Sequence, residues 1–297
     1  MTIYTTNGDC KIFSLIVYRE AFMKVKSFLV LMITAFVFSV SMGFSKGNDA
    51  KVVIKGSTTV LPIAQKAVEV FYDKTKIIIS LSGTGSGDGI KSLIDGSCDI
   101  ANSSREMKPE ELAMAKEKGE KIKEVAIAYD MIVPIVHPSN PVKNLSLEQL
   151  KAIYEGTITN WKEVGGNNEK IVVVSRDSSS GTFEVWESKV MKKAEVRKDA
   201  LLQASNGAVL SVVARNKKAI GYVGYGYLDK TVKGIYVNNV EPTIPNGKSG
   251  KYPIARKLYM YVNDVKIKPE AKQFINFILS NEGQIIVKEA GFIPIID

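Results

Sequence analysis

Four times in this chain an apolar, β-branched run gives way to a cluster of small polar residues and then to an amphipathic stretch. The clusters are GSTTVLP (56–62), SGTGSGDGI (82–90), ANSSREMKP (101–109) and SRDSSSGTF (175–183). VVIKG precedes PIAQKAVEVFYDK, IIISLSG precedes GIKSLIDG, and CDIAN precedes KPEELAMAKEKG. Alternation of short strands with helix-length segments implies an α/β chain with a largely parallel sheet and helices on both faces. Ligands of open α/β sheets bind beyond the carboxyl ends of the strands, and all four clusters lie there.

The stretch EVAIAYDMIVPIVHP (124–138) breaks the rhythm: it is extended, contains Pro134 and is too long for one ordinary strand. A second set of elements follows it: LSLEQLKAIYEG, IVVVSRD, FEVWESKVMKKA and AIGYVGYG. YPIARKLYMYV (252–262) is again strand-like, and the closing KPEAKQFINFILSNEGQIIVKEAG is helical with a break near Gly283. This pattern predicts two α/β lobes joined by two extended crossovers near Asp130 and Ile254, with the last helices returning to the first lobe. Lobe I is expected to hold residues 46–129 and 255–297, and lobe II residues 130–254. A two-domain enzyme would share this plan.

The chain begins with an expected upstream segment and signal peptide, residues 1–45, with the start of translation at Met23. Lys24 and Lys26 precede an apolar run from Phe28 to Val40, and small residues Ser39, Ser41, Gly43 and Ser45 follow. That is the layout of a secretory signal. The run is short of the roughly 20 residues that span a bilayer, although a retained anchor is the alternative. Export to the periplasm is therefore expected, without a lipid anchor, since no cysteine stands near the cleavage region. Cys10 falls in the segment to be removed, so Cys98 stands alone in the exported chain, and neither a disulfide nor a metal cluster is expected. The formal charge of +9 comes from scattered lysines without a basic block interleaved with aromatics, so it reads as solvated surface and no nucleic-acid partner is expected.

Any one cluster of Ser, Thr, Asp and Gly reads as an ordinary helix cap or turn. Four at the same end of a sheet form a cradle. Helix starts offer free N–H groups and partial positive charge, hydroxyls add donors, and glycine lets the backbone close in. Arg176 adds a guanidinium suited to a bidentate grip on an oxyanion. The ligand implied is small, anionic and rich in oxygen.

Other motifs fail on spacing. The glycines at 83, 85, 87 and 89 do not make G-x-G-x-x-G, because Asp88 and Ile90 stand where the next glycine would be needed. Gly247, Lys248 and Ser249 end like a P-loop, but Pro242 occupies the position of its first glycine. His137 is the sole histidine and precedes Pro138, so it reads as structural; no S-x-x-K pair occurs, and no G-x-S-x-G elbow stands after residue 50. No catalytic residue, cofactor or metal is expected. A phosphate-ester hydrolase using Ser180 as nucleophile and Asp177 as its partner is kept as the enzymatic alternative.

With these motifs together, the chain after residue 50 resembles the periplasmic phosphate-binding proteins of bacterial phosphate ABC importers, in their shorter form. The resemblance runs through GSTTVLP, SGTGSGDGIKSL, DIANSSREMK, NLSLEQLKAIYEGTITNWKEVGG, VVVSRDSSSGTFE, SNGAVLSVVARNKKAIGYV and YPIARKLYMYV, in that order. It implies a type II solute-binding fold whose two lobes close on dehydrated phosphate and then dock on membrane permease subunits, acting as a monomer. Position by position it implies phosphate contacts from Thr59, Val60, Ser86, Ser104, Arg176, Ser180, Gly181 and Thr182. Arg105 is a further cation there, or one half of a surface ion pair. Ser104 departs from the longer relatives, which carry an aspartate that accepts the phosphate's proton. Asp177 is the candidate acceptor or orienter of Arg176, and Asp88 is a second option that would otherwise cap its helix. Sulfate, molybdate or a phosphonate remain alternative ligands, and signalling an alternative purpose.

Overall fold

Residues 50–296 are described by the computed structural model, so the upstream segment, the signal sequence and Cys10 lie outside the described residues. The first half runs β1 (Val52–Gly56), α1 (Leu61–Thr75), β2 (Ile79–Gly83), α2 (Ser86–Ile94), β3 (Ile100–Ser103), α3 (Pro109–Glu117) and β4 (Ile122–Val136). The second continues with β5 (Asn144–Leu145), α4 (Leu147–Glu155), β6 (Val172–Arg176), α5 (Gly181–Trp186), β7 (Leu201–Gln203), α6 (Asn206–Arg215) and β8 (Ala219–Gly224). After β9 (Lys233–Gly234), β10 (Tyr236–Val237) and α7 (Ile244–Lys248), the chain returns through β11 (Ala255–Asn263), α8 (Pro269–Leu279), α9 (Asn281–Glu289) and β12 (Ile293–Pro294).

The main sheet runs β2-β1-β3-β11-β4-β8-β6-β7. Pairing is parallel at β2-β1-β3 and at β8-β6-β7, as the βαβ rhythm predicts. It is antiparallel at β3-β11-β4-β8, which corrects the expectation of a largely parallel sheet. The reason is that β4 carries the chain out of the first half and β11 brings it back, and two such strands side by side must oppose each other.

The long stretch expected to exceed one strand is a single strand of 15 residues with two sets of partners. β4 pairs with β11 up to Met131 and with β8 from Ile132 onward. It can be long because each part is buried by a different set of helices. One apolar cluster gathers Val52 and Ile54 of β1, Phe71 of α1, Leu258 and Met260 of β11, Phe274 of α8 and Val287 of α9. The closing helices therefore do pack with the first half, and Phe71 meets Phe274 edge-on at 5.3 Å. A second cluster gathers Met131 to Val133, Tyr154, Trp161, Trp186 and Tyr222. There Trp186, at the end of α5, stacks on Tyr222 of β8 with ring centroids 4.2 Å apart.

Candidate functional site

Each junction forms because a strand delivers small residues that cannot extend it but can start a helix. After β1, Ser57 turns its hydroxyl onto the amides of Thr59 and Val60, at 3.1 and 3.4 Å, and so tightens the entry to α1. The Val60 side chain is fully buried in the apolar cluster of the first half, so a contact from this residue would be by backbone. After β2, Gly85 takes φ +105°, a conformation open to glycine, and sets Ser86 at the start of α2. After β3, Ser104 donates its amide to Ser86 Oγ at 3.1 Å, and the two hydroxyls lie 3.3 Å apart. After β6, Ser180 caps α5 by accepting from the Phe183 amide at 3.2 Å.

Distant parts of the chain meet across the junctions. Thr59 Oγ1 and Thr182 Oγ1, 123 positions apart in sequence, share a hydrogen bond of 2.9 Å. A side chain on Gly181 would come within 2.8 Å of Ser86 Cβ and 2.9 Å of Ser104 Oγ, so only glycine lets these segments approach this closely. Ser86, Ser104, Thr59, Thr182 and Ser180 are each at most 1% exposed. The Gly87 amide donates to Ser179 carbonyl at 3.0 Å, and Ser179 Oγ lies 3.3 Å from Thr84 carbonyl.

Arg176 is held from behind. Its Nε donates to Gln203 carbonyl at 2.9 Å and its Nη2 to Ala204 carbonyl at 3.0 Å, and the residue is 2% exposed. Nη1 is buried and has no hydrogen-bond partner, and among the described residues no carboxylate forms an ion pair with this guanidinium. Burial, the largest influence, pulls its pKa down, the charge of Asp177 opposes the fall, and Arg256 nearby adds to it. A buried cation with no ion-paired carboxylate is costly unless an anion joins it.

The acidic residues singled out in the sequence stand elsewhere. Asp177 turns its carboxylate onto Ser179, accepting the hydroxyl at 2.6 Å and the amide at 2.9 Å, so Arg176 is oriented by two carbonyls instead. Asp88 is exposed in the first turn of α2, where it complements the helix dipole. Arg105 is 6% exposed and forked onto Glu111, with both bonds at 2.7 Å, while its Nε lies 2.7 Å from Glu184 of α5. Its guanidinium is thus ion-paired with Glu111 and Glu184, and the arginine is buried where a surface pair was the alternative. His137 bonds Ser139 at 2.8 Å. Cys98 is buried, which pushes its thiol up to about 12.

Three further residues complete the junction. Asn206, fully buried at the start of α6, donates from Nδ2 to Thr58 Oγ1 and Thr59 Oγ1, both at 3.0 Å, and accepts the Gly224 amide at 3.0 Å. It belongs to a fifth strand-to-helix cluster, QASNG (203–207), of the same kind as the other four. The preceding strand is three mostly exposed residues without β-branching, so only the small polar run could have marked it. Arg256 and Asp130 face each other in register across β11 and β4, with Nη2 and Oδ2 2.8 Å apart. Arg256 also reaches Ser104 carbonyl at 3.1 Å and Thr59 Oγ1 at 3.4 Å. Burial raises the Asp130 pKa while Arg256 opposes the rise. No periodicity links residues 126 apart, and this pair carried no signal in the sequence.

The arrangement is rich in donors and carries a guanidinium with one unpartnered nitrogen; Ser180 Oγ serves as a helix cap, and Asp177, its candidate partner for hydrolysis, is bonded to Ser179 instead. Among the described residues no group of three or more His, Cys, Asp or Glu could hold a metal ion. A protein-family model described as the PBP superfamily domain matches residues 45–282. The chain is 34% identical over 281 residues to the phosphate-binding protein PstS of Borreliella burgdorferi, covering 89% of this chain and 98% of that one. It is 34% identical over 267 residues to the phosphate-binding protein PstS of Staphylococcus epidermidis, covering 84% and 81%. Among solved structures it is similar to a phosphate-bound protein from Clostridium perfringens, with TM-score 0.78 and 40% identity over 82% of this chain and 99% of that one. An ABC-type phosphate transport receptor from Vibrio cholerae gives TM-score 0.68 and 33% identity over 82% and 99%. Strand order, junction geometry and these likenesses converge: the chain belongs to the PstS-type phosphate-binding proteins of the PBP superfamily.

Proposed function

We propose that this chain binds inorganic phosphate outside the cytoplasm and hands it to the permease subunits of an ABC importer, without chemistry on the ligand. The observation that carries the proposal is Arg176: a buried guanidinium with Nη1 unpartnered and no ion-paired carboxylate. A dianion compensates that charge, and hydroxyls of Thr59, Ser86, Ser104 and Thr182, with the N–H groups at Gly181 and Thr182, supply donors. Ser180 contributes by starting α5, and Val60 by its backbone. Thr59 and Thr182 exchange their mutual bond for bonds to the ligand.

The halves 46–129 with 255–297 and 130–254 act as lobes, swinging about the crossovers near Asp130 and Ile254. Bound phosphate favours closure because it touches both lobes in the closed state only. Arg105 is better suited to holding the lobes together through Glu111 and Glu184 than to touching phosphate. The protein is taken to be a periplasmic monomer released by signal cleavage. Among the described residues no helix is long and apolar enough to cross a membrane.

Ser104 supports a second reading in which other tetrahedral oxyanions also bind. Its hydroxyl lies 3.3 Å from that of Ser86, so the position holds a hydroxyl and no acid to receive a ligand proton. Calorimetric titration of the purified protein with phosphate, sulfate and molybdate tests both readings. Phosphate binding in preference to the others upholds the proposal; sulfate binding as tightly as phosphate overturns the assignment of the ligand.

A further inference from the structure

We propose that Asn206 is a positioning residue that fixes the Thr59 hydroxyl as a hydrogen-bond donor, so that this point of the cleft cannot take up a proton from the ligand. The inference rests on the phosphate-binding reading and deepens it.

The orientation of the Asn206 amide is imposed. Gly224 N–H, 3.0 Å away, can be accepted only by Oδ1, so Nδ2 must face the threonines. Its two protons then go to Thr58 Oγ1 and Thr59 Oγ1, each at 3.0 Å. Thr59 Oγ1 receives a second donor, Arg256 Nη2, at 3.4 Å. A hydroxyl has two lone pairs and one proton, and with both lone pairs engaged it can only donate. In this structure the proton goes to Thr182 Oγ1, 2.9 Å away; with phosphate bound it goes to a ligand oxygen. Asn206 lies on α6 and its threonine partners precede α1, so the lock forms where the two halves meet. Three of its members, Asn206, Thr59 and Thr182, are at most 1% exposed, so water does not substitute for them. Discrimination against ligand oxygens that must donate follows from an unmatched donor pair in a dry site.

A double-mutant cycle read by calorimetry with inorganic phosphate tests this. Thr59→Val and Asn206→Ala should each weaken binding by about tenfold or more, the range for losing a donor to a charged group. The double variant should be no weaker than the worse single one, within about threefold, because Asn206 acts through the hydroxyl that valine lacks. Losses that multiply overturn the proposal.

Asn206→Asp provides a second readout that does not need a truncated side chain. The charged groups and phenols around this junction are Arg256 of β11, which reaches Thr59 Oγ1, Asp130 of β4, paired with Arg256, Arg176 of β6, which bonds Ala204 carbonyl two residues before Asn206, and Tyr227 after β8, whose hydroxyl donates to Thr58 carbonyl at 2.5 Å. An ionised carboxylate at position 206 accepts only, so both threonine hydroxyls turn toward it; a protonated one donates again. Relative to the unaltered chain at the same pH, the variant's phosphate affinity should recover by about tenfold or more between pH 8 and pH 5, as a donor is regained. A ratio flat across that range overturns the proposal. Failure of the unaltered chain to bind phosphate would instead remove the reading beneath it.

Discussion

A guanidinium buried without a carboxylate is a standing cost to the folded chain, and Arg176 is oriented by two backbone carbonyls so that its third nitrogen stays available. Pre-orientation means the ordering is done before the ligand arrives. Arg176→Ala should weaken phosphate binding by about 2–5 kcal/mol, the range for removing one partner of a desolvated charged contact. Calorimetry giving an unchanged affinity would contradict this. Arg176→Lys should restore little, since a point charge cannot keep both carbonyls and reach an oxyanion together. Cys98 makes the opposite point: a buried residue with no role at the site. Its thiol rises from 9.0 to about 12, chiefly through burial. A raised pKa contributes stability below the free-thiol value and loses it as pH climbs toward the folded one. Native protein at pH 8 should therefore resist thiol reagents at Cys98, with labelling, located by peptide mapping, appearing on denaturation; rapid native labelling would contradict it.

The elements follow from local pattern wherever burial is one-sided or complete. Strands β1, β2, β3 and β6 and the helices after them were legible because β-branched runs end at small polar clusters, and residues of the four clusters do come together at one place. β7 was not, being three residues long and mostly exposed. With it went Asn206, although QASNG has the composition of the other clusters. The crossover pair was illegible for a different reason. Asp130 and Arg256 become neighbours through the register of β4 and β11, which depends on how two distant strands align. Asp177 and Arg105 were legible as charges but not as partners: a two-residue turn takes the first, and carboxylates on two helices take the second. The crossover pair is predicted to matter to stability. Arg256→Met would leave Asp130, fully buried, to be protonated or unpaired, and should cost about 3–5 kcal/mol, as for other broken buried pairs. Urea denaturation giving a loss under about 1 kcal/mol, the worth of an exposed pair, would contradict this.

At the scale of the whole molecule, the junctions after β1, β2, β3 and β6 meet at one place, and under the proposed function the groups that cap helices there also bind the anion. Beyond the hydroxyls, Glu184 of α5 forms ion pairs with Arg105 Nε at 2.7 Å and with Lys108 Nζ at 2.9 Å, both from residues before β4. Glu184→Gln should loosen closure, weakening phosphate affinity by about 1–3 kcal/mol, in the range of hydrogen bonds to charged groups, chiefly through faster release. Stopped-flow release rates equal to those of the unaltered chain would show that the lobes close without this contact. The most direct test of the whole account is a high-resolution crystal structure of the chain saturated with phosphate. Tetrahedral density within hydrogen-bond distance of Arg176 Nη1 and of the hydroxyls of Thr59, Ser86 and Thr182 is the predicted result. Phosphate bound away from Arg176, or held by one half of the molecule alone, would contradict it.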